Sequence, residues 1–292
     1  MRFITGTKEG RVGMPGKLYL CATPIGNLED ITFRVVKTLK EVDLIAAEDT
    51  RHSIKLLNHY NIKTPMTSYH EHNKEEKGPY LIKQLEEGKN IALITDAGTP
   101  GISDPGEDLV KQAYESGIKV TSLPGASAVI TALTLSTLSN GRFCFEGFLP
   151  SVKKERQRIF NVLKTETRTI ILYEAPHRLK KTLKELYNYL GNRKITVVKE
   201  LTKIHENILV TYLEEASIYF EENEPKGEFV LIIEGKTIDE LEEGKESHWK
   251  QISIEEHMEI YLSRGLSKKD SMKAVAKDRG ASKREIYQKL IN

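Results

Sequence analysis

Cysteine is almost missing from this 292-residue chain: there are two, Cys21 and Cys144. They lie far apart in apolar, strand-like stretches and at no metal-ligand spacing, which excludes a disulfide framework and fits reduced, buried thiols in a cytoplasmic protein. Long apolar runs are missing as well. Nowhere do about 18 uncharged apolar residues follow one another, and the N-terminal MRFITGTKEGRVGMPG lacks the apolar stretch of a signal peptide, so neither a membrane span nor a leader is expected. Charge of one sign does not dominate either. The 44 Lys and Arg against 42 Asp and Glu leave +2 overall, so affinity for an anionic partner must come from the distribution of charge. No Gly-x-Gly-x-x-Gly follows the first strand, no Gly-x-x-x-x-Gly-Lys-Ser/Thr occurs, and no Gly-x-Ser-x-Gly elbow presents a serine. These absences exclude a dinucleotide fold, a P-loop ATPase and an elbow-type hydrolase. His70 and His72 fall on one face of an expected strand, but two ligands are too few for a zinc site and no metal is expected.

What is present is 39% hydrophobic residues, enough for the cores of two compact domains and an appendage. The segment that stands out is ITDAGTPGISDPG, Ile94 to Gly106, following the apolar run Asn90 to Thr95. Glycine allows positive φ and close approach of another molecule. Proline fixes φ and removes a donor, so this alternation with Asp, Thr and Ser suits a loop that presents peptide groups to a ligand. An ordinary strand-to-helix connection is the other reading of these residues alone.

Strand, turn and helix recur along the chain. After a loose extension over residues 1–16 come strand Lys17 to Thr23, the turn Pro24 to Asp30, and a helix carrying Ile31, Val35, Leu39 and Val42. Strand Asp43 to Ala47, helix Ser53 to Tyr60, strand Pro65 to Tyr69, a charged helix around Tyr80 to Glu87, strand Asn90 to Thr95, helix Glu107 to Ser116 and strand Lys119 to Leu123 follow. This alternation predicts an α/β domain over residues 17–123 with a mostly parallel sheet and ligand loops at the strands' carboxyl ends. A second α/β domain is expected over 124–236. It starts at Pro124 to Ala128, with a helix running through Leu138, and continues with strand Arg142 to Gly147, helix Lys153 to Lys164 and strand Thr169 to Tyr173. Helix His177 to Tyr189, strands Lys194 to Lys199 and Asn207 to Thr211, helix Leu213 to Glu221 and strand Glu228 to Glu234 complete it. Short final connections predict a mixed sheet.

Residues 237–248 read as an acidic linker, with five acidic residues between Thr237 and Glu246. Residues 249–292 read as a small three-helix, helix-turn-helix-like basic domain, with helices Ile254 to Leu262, Ser267 to Lys277 and Ser282 to Ile291 and with Ser267 and Ser282 as N-caps. From Arg264 onward nine Lys or Arg stand against three Asp or Glu. That excess suits contacts with phosphates, or simply keeps a small charged module solvated.

Seven ordered stretches, TPIGNLED from Thr23, AEDTR from Ala47, SYHEHN from Ser68, DAGTPGISDPG from Asp96, PGAS from Pro124, YEAPHR from Tyr173 and KELT from Lys199, resemble the tetrapyrrole methylase superfamily, and specifically its RNA-modifying branch. The resemblance covers about Lys17 to Gly235, and the tail is similar to the helical C-terminal domain of many members. It implies two α/β domains of tetrapyrrole-methylase type with the cofactor cleft between them. It also implies a homodimer that uses S-adenosylmethionine to methylate the 2′-oxygen of a cytidine in the decoding region of 16S ribosomal RNA, within the 30S subunit.

Carried over by motif, the resemblance implies that Pro24 lies on the substrate side of the cleft. The backbone of Gly98, Thr99, Pro100, Ile102 and Ser103 would meet the methionine moiety, with Ser127 and Ala128 nearby. Tyr173, Thr202, Phe229 and Val230 would line the adenosine pocket. Where many relatives have Gly-Asp-Pro, this chain has Gly98, Thr99 and Pro100: the glycine and proline that shape the loop remain, and the departure falls on the side chain of Thr99. A methyl on a sulfonium is already activated, and the enzyme must align it and assist loss of a hydroxyl proton. The candidates for that assistance are Asp104, Glu174, His177, Arg178, Glu200, Lys203 and Glu206, and the residue types do not select among them. His177 serves equally as a phosphate ligand at a helix start, and Glu200 with Arg51 as a structural ion pair. RNA contacts are expected from Lys153, Lys154, Arg156, Arg158 and the tail, on single-stranded or distorted RNA. Two alternatives stay open: a corrin or porphyrin precursor methylase of the same fold, and a ribosome-assembly RNA-binding protein that has lost activity.

Overall fold

The computed structural model describes residues 14–241, 249 and 252–291. In its first half, nine elements alternate: β1 (Lys17–Cys21), α1 (Phe33–Glu41), β2 (Leu44–Ala47), α2 (Thr50–His59), β3 (Met66–Ser68), α3 (Lys74–Glu86), β4 (Ile91–Ile94), α4 (Glu107–Glu115) and β5 (Lys119–Leu123). The strands form one sheet in the order β3-β2-β4-β1-β5, and every pair is parallel. Central strands of such a sheet are covered on both faces, which is why LIAA and IALI are uninterrupted apolar runs. One face packs on Leu81, Leu85, Leu109 and Ala113 of α3 and α4, the other on Val35, Leu39 and Leu57 of α1 and α2. From β1 the chain crosses to β2 on one side, whereas from β4 it crosses to β5 on the other. The loops after β1 and β4 therefore diverge at the one place in this sheet where ligand crevices form.

The second half contains α5 (Ala128–Leu135), β6 (Phe143–Phe148), α6 (Lys153–Leu163), β7 (Thr169–Glu174), α7 (Pro176–Leu190), β8 (Lys194–Lys199), β9 (Asn207–Tyr212), α8 (Leu213–Glu222) and β10 (Phe229–Ile233). Its sheet has the order β6-β7-β10-β8-β9 and is mixed: β6 and β7 are parallel, the other pairs antiparallel. One face is sealed by Phe160, Leu163, Leu179, Leu183, Leu186 and Phe220 from α6, α7 and α8. The other face carries Ile171, Val198, Val230 and Ile232 against Val129, Ala132 and Leu133 of α5, with Ile25 of the first half packed beside them. The cleft lies along that face.

The tail comprises helices Ile254–Ser263, Lys268–Asp278 and Lys283–Ile291 around Met258, Val275, Ala276 and Ile286. The Ser267 hydroxyl accepts from the Asp270 N–H, and Ser282 and Glu285 cap one another reciprocally. Among the described residues no helix is long and apolar enough to cross a membrane.

Several sequence expectations are corrected. The helix α3 begins at Lys74, not near Tyr80, and takes Gly78 and Pro79 inside it, because Leu81, Ile82 and Leu85 extend an apolar face that α4 covers. The helix α5 ends at Leu135, not Leu138: Ser136 turns extended and its hydroxyl donates to the Leu133 carbonyl, competing with the helical ladder. His70 and His72 stand in the turn after β3 and not on a strand. Of the supposedly loose extension, residues 1–13 lie outside the described residues, while Gly16 is tied in by its N–H to the Leu85 carbonyl at 2.8 Å. The acidic linker begins as a helical turn, because Thr237 and Glu240 bond to each other; its residues 242–248 lie outside the described residues.

Candidate active site

Thr23, just after β1, and Gly98, in the loop after β4, form an isolated antiparallel bridge, with N–H to carbonyl distances of 2.9 and 3.1 Å. The two diverging loops are thus stitched together at the crevice. Three of the four non-glycine residues with left-handed backbone among the described residues surround this place: Ser103, Glu200 and Thr202. Such conformations persist where surrounding contacts enforce them, and they concentrate at functional sites. Thr99 Oγ1 donates to the Ala126 carbonyl at 3.0 Å, which braces the first-half loop against the chain leading into α5.

Between this loop and the open face of the second sheet lies a cavity of about 390 Å³. That is the size of a small-molecule site. Ile25, Ala97, Gly98, Thr99, Ile102 and Ser103 form one wall; Ser127 and Ala128 form the floor at the start of α5; Tyr173, Val198, Leu201, Phe229 and Val230 form the apolar wall opposite. Register explains the last set, since Val230 of β10 stands between Tyr173 of β7 and Val198 of β8.

Among the described residues, one carboxylate in the lining has no hydrogen-bonded protein partner, that of Asp104. Burial pushes its pKa up to about 7, and the charges of Glu48 and Asp96 add to the rise. Glu48 is raised as well, chiefly by burial. The Tyr173 hydroxyl is pushed up to about 12 by burial and then by the charge of Asp104, which places the tyrosine near that carboxylate. The cavity therefore combines an apolar wall, main-chain groups on a fixed loop, and a proton acceptor poised near neutrality.

Of the other candidates for acid-base work, Glu174 also lines the cavity, but its carboxylate is already engaged. Glu174 is 1% exposed, and both its oxygens have partners: Thr182 Oγ1 donates at 2.5 Å, the Ala175 N–H at 2.9 Å, and Arg178 Nε lies at 3.3 Å. Arg178 also donates to the Leu149 carbonyl. Glu200 accepts from Lys203 Nζ at 3.0 Å and from the Glu228 N–H at 2.9 Å; burial alone would raise its pKa, but these contacts hold it below the usual range. Glu206 accepts the Thr202 N–H at 2.7 Å. Glu200, Lys203 and Glu206 brace the loop after β8 and do not line the cavity, nor do His177 and Arg178. Pro24 and Pro100 are buried next to the cavity without lining it, and Thr202 faces Gly26 with its hydroxyl buried and, among the described residues, unpartnered.

Glu200 does not pair with Arg51, which instead forks onto Asp49 within its own helix cap. Arg156 is 4% exposed and bound to Glu185 and Thr182, so it is a structural group and not an RNA contact. Phe148, which lines the cavity, was missed by sequence reasoning. The available signal was Gly147 inside a strand pattern, the mark of a bulge. Among the described residues no group of three or more His, Cys, Asp or Glu side chains is placed to hold a metal ion.

A family model described as Tetrapyrrole (Corrin/Porphyrin) Methylases matches residues 17–217. A relative from Halalkalibacterium halodurans, named ribosomal RNA small subunit methyltransferase I, is 52% identical over 93% of this chain and 93% of its own length. Among solved structures, a diphthine synthase superposes with a TM-score of 0.62 at 15% identity, over 76% of this chain and 91% of that one. A uroporphyrin-III C-methyltransferase from Thermus thermophilus, complexed with S-adenyl homocysteine, gives 0.55 at 20% identity, over 75% and 97%.

Proposed function

The chain belongs to the tetrapyrrole (corrin/porphyrin) methylase family, in the branch of the ribosomal RNA small subunit methyltransferases I, and from that premise we propose that it methylates the 2′-oxygen of a cytidine in the decoding region of 16S ribosomal RNA, with S-adenosylmethionine as donor. The observation that carries the reading is the cavity at the crevice of the first sheet, where Asp104 faces an apolar wall supplied by the second. S-adenosylmethionine is a nucleoside joined to a charged amino acid. The residues present fit it: Tyr173, Phe229 and Val230 offer an apolar surface for the adenosine, and the constrained backbone from Gly98 to Ser103 offers peptide groups to the amino acid, with Ser127 and Ala128 between. When bound, the group supplies an electrophilic methyl that needs no metal activation.

What remains for the protein is to hold the ribose in line and to remove its hydroxyl proton. Asp104 takes that proton. Its raised pKa suits the task, because a carboxylate that binds a proton near neutrality is a stronger base than an ordinary one. Glu200, Lys203 and Glu206 act indirectly, by keeping Leu201 against the cavity. The tail and the exposed Lys153, Lys154 and Arg158 contact RNA phosphates. The domain limits proposed are residues 17–123 and 124–236 for the catalytic halves and 249–292 for the tail. Two copies pair as a homodimer in the cytoplasm, a state supported by the half-exposed apolar stripe Ile208, Val210 and Tyr212 on edge strand β9. The test is methyl transfer to small ribosomal subunits that lack the modification, with nucleoside mapping of the product.

A further inference from the structure

Phe148 is the last residue of β6, and its ring is 52% exposed at the rim of the cavity. Side chains on a strand alternate between faces, so Phe145 and Phe148, three apart, should point to opposite sides of the sheet. They do not. Phe145 stands opposite Ile171 and Phe148 opposite Tyr173, because the register slips at Glu146 and Gly147, where two residues of β6 face one interval of β7. Both rings therefore contact Tyr173, with centroids at 4.9 and 5.5 Å. The bulge turns Phe148 away from the core under α6 and α7 and toward the cleft, which is the use such bulges have beside active sites.

The device depends on Gly147. Its φ of +63° is strained for a residue with a side chain, and an added Cβ would lie 3.2 Å from Ser103 Oγ of the opposite loop. The shelf is also rigid. Leu149, next in the chain, is buried, and its carbonyl is held by Arg178, itself tied to buried Glu174. A large aromatic ring has thus been taken from a possible core position, left half in water and fixed there. Exposed Lys153 and Lys154 open the helix that follows.

We propose that Phe148 is the stacking platform for the nucleobase of the nucleotide whose ribose is methylated. The inference rests on the RNA reading above. Asp104 acts electrostatically on Tyr173, and Tyr173 touches Phe148, so a base lying on Phe148 carries its ribose over Tyr173 toward Asp104. A base can reach such a shelf only from a single strand or after leaving its helix. Stacking is indifferent to base identity, so Phe148 contributes affinity and position, and base identity is read by other groups.

The test compares wild type, Phe148→Leu and Phe148→Trp as full chains, measuring kinetics on small ribosomal subunits and cofactor affinity by calorimetry. Leucine keeps apolar bulk but has no π-face. Expected is a rise of about 10- to 100-fold in KM for the ribosomal substrate with Phe148→Leu. Cofactor Kd stays within about twofold of wild type, which also reports an intact fold, and Phe148→Trp stays near wild type in KM. A tenfold loss of cofactor affinity in Phe148→Leu would assign the ring to the cofactor and overturn the proposal, as would unchanged KM. A wild-type enzyme that binds cofactor but does not methylate the subunits overturns the RNA reading, and the platform with it.

Discussion

Thr99 Oγ1 and the carbonyl of Ala126 are joined by a 3.0 Å hydrogen bond that ties the loop after β4 to the segment entering α5. Both the loop and the start of α5 line the cavity, so this bond sets the spacing of its two sides. Replacing Thr99 with Val removes the donor and leaves the carbonyl to find another. A neutral hydrogen bond of this kind contributes about 1 kcal/mol, so cofactor affinity falls roughly fivefold, while Thr99→Ser stays near wild type. Calorimetric titration distinguishes the two variants.

Gly26 packs against the loop after β8. A Cβ there would sit 2.6 Å from Thr202 Oγ1 and from Lys203 Cγ, and 2.9 Å from the Leu201 carbonyl. The Lys203 chain can move aside, but the Leu201 backbone cannot without carrying Leu201 away from the cavity. Gly26→Ala therefore weakens cofactor binding by about tenfold or more, at a melting temperature within a few degrees of wild type, since the contact lies outside the main cores.

The pH dependence follows from Asp104. It accepts a proton only when ionised, so activity climbs as pH rises through about 7, and Asp104→Asn abolishes that limb together with most of kcat. Stability moves the opposite way. Because the folded pKa lies above the ordinary aspartate value of about 3.8, the folded state holds the proton longer, and stability falls as pH rises from about 4 to about 7. Asp104→Asn removes this penalty and raises the melting temperature more at pH 8 than at pH 5. Thermal scans at the two pH values measure it.

Glu174 is buried and holds Thr182, Ala175 and Arg178 together at the start of α7. Removing one member of such a network leaves buried charge unpaired, so Glu174→Ala lowers unfolding free energy by about 3 kcal/mol. Denaturant titration checks it. A loss of kcat with full stability would instead put Glu174 in the chemistry.

Lys269, Lys273 and Lys277 recur every four residues along one exposed stripe of the helix Lys268–Asp278. Their replacement by Gln weakens RNA binding and makes the slope of log affinity against log salt shallower by about 2 to 3, with cofactor affinity unchanged.

Much of this was legible in the chain because the signals were local. The runs LIAA and IALI announce central parallel strands, and Val35 and Leu39 announce the buried face of α1, through periods that tertiary contacts reinforce. The loop Ile94 to Gly106 was legible through its backbone chemistry, and Gly98 and Ser103 do adopt the left-handed conformations that such a loop demands. Roles that depend on long-range partners were not legible. Nothing local says that Arg156 turns inward to Glu185, or that Glu200 accepts from the Glu228 N–H across the sheet instead of meeting Arg51. Phe148 eluded sequence reasoning for a related reason. The bulge that re-aims it is a matter of register between β6 and β7, and register is set by the partner strand as much as by the strand itself.

The most direct measurement is transfer of labelled methyl from S-adenosylmethionine to small ribosomal subunits lacking the modification, followed by digestion to nucleosides. Label recovered in 2′-O-methylcytidine, lost with Asp104→Asn, is the predicted result. Cofactor binding without label in the RNA, or transfer only to a tetrapyrrole precursor, would contradict the account.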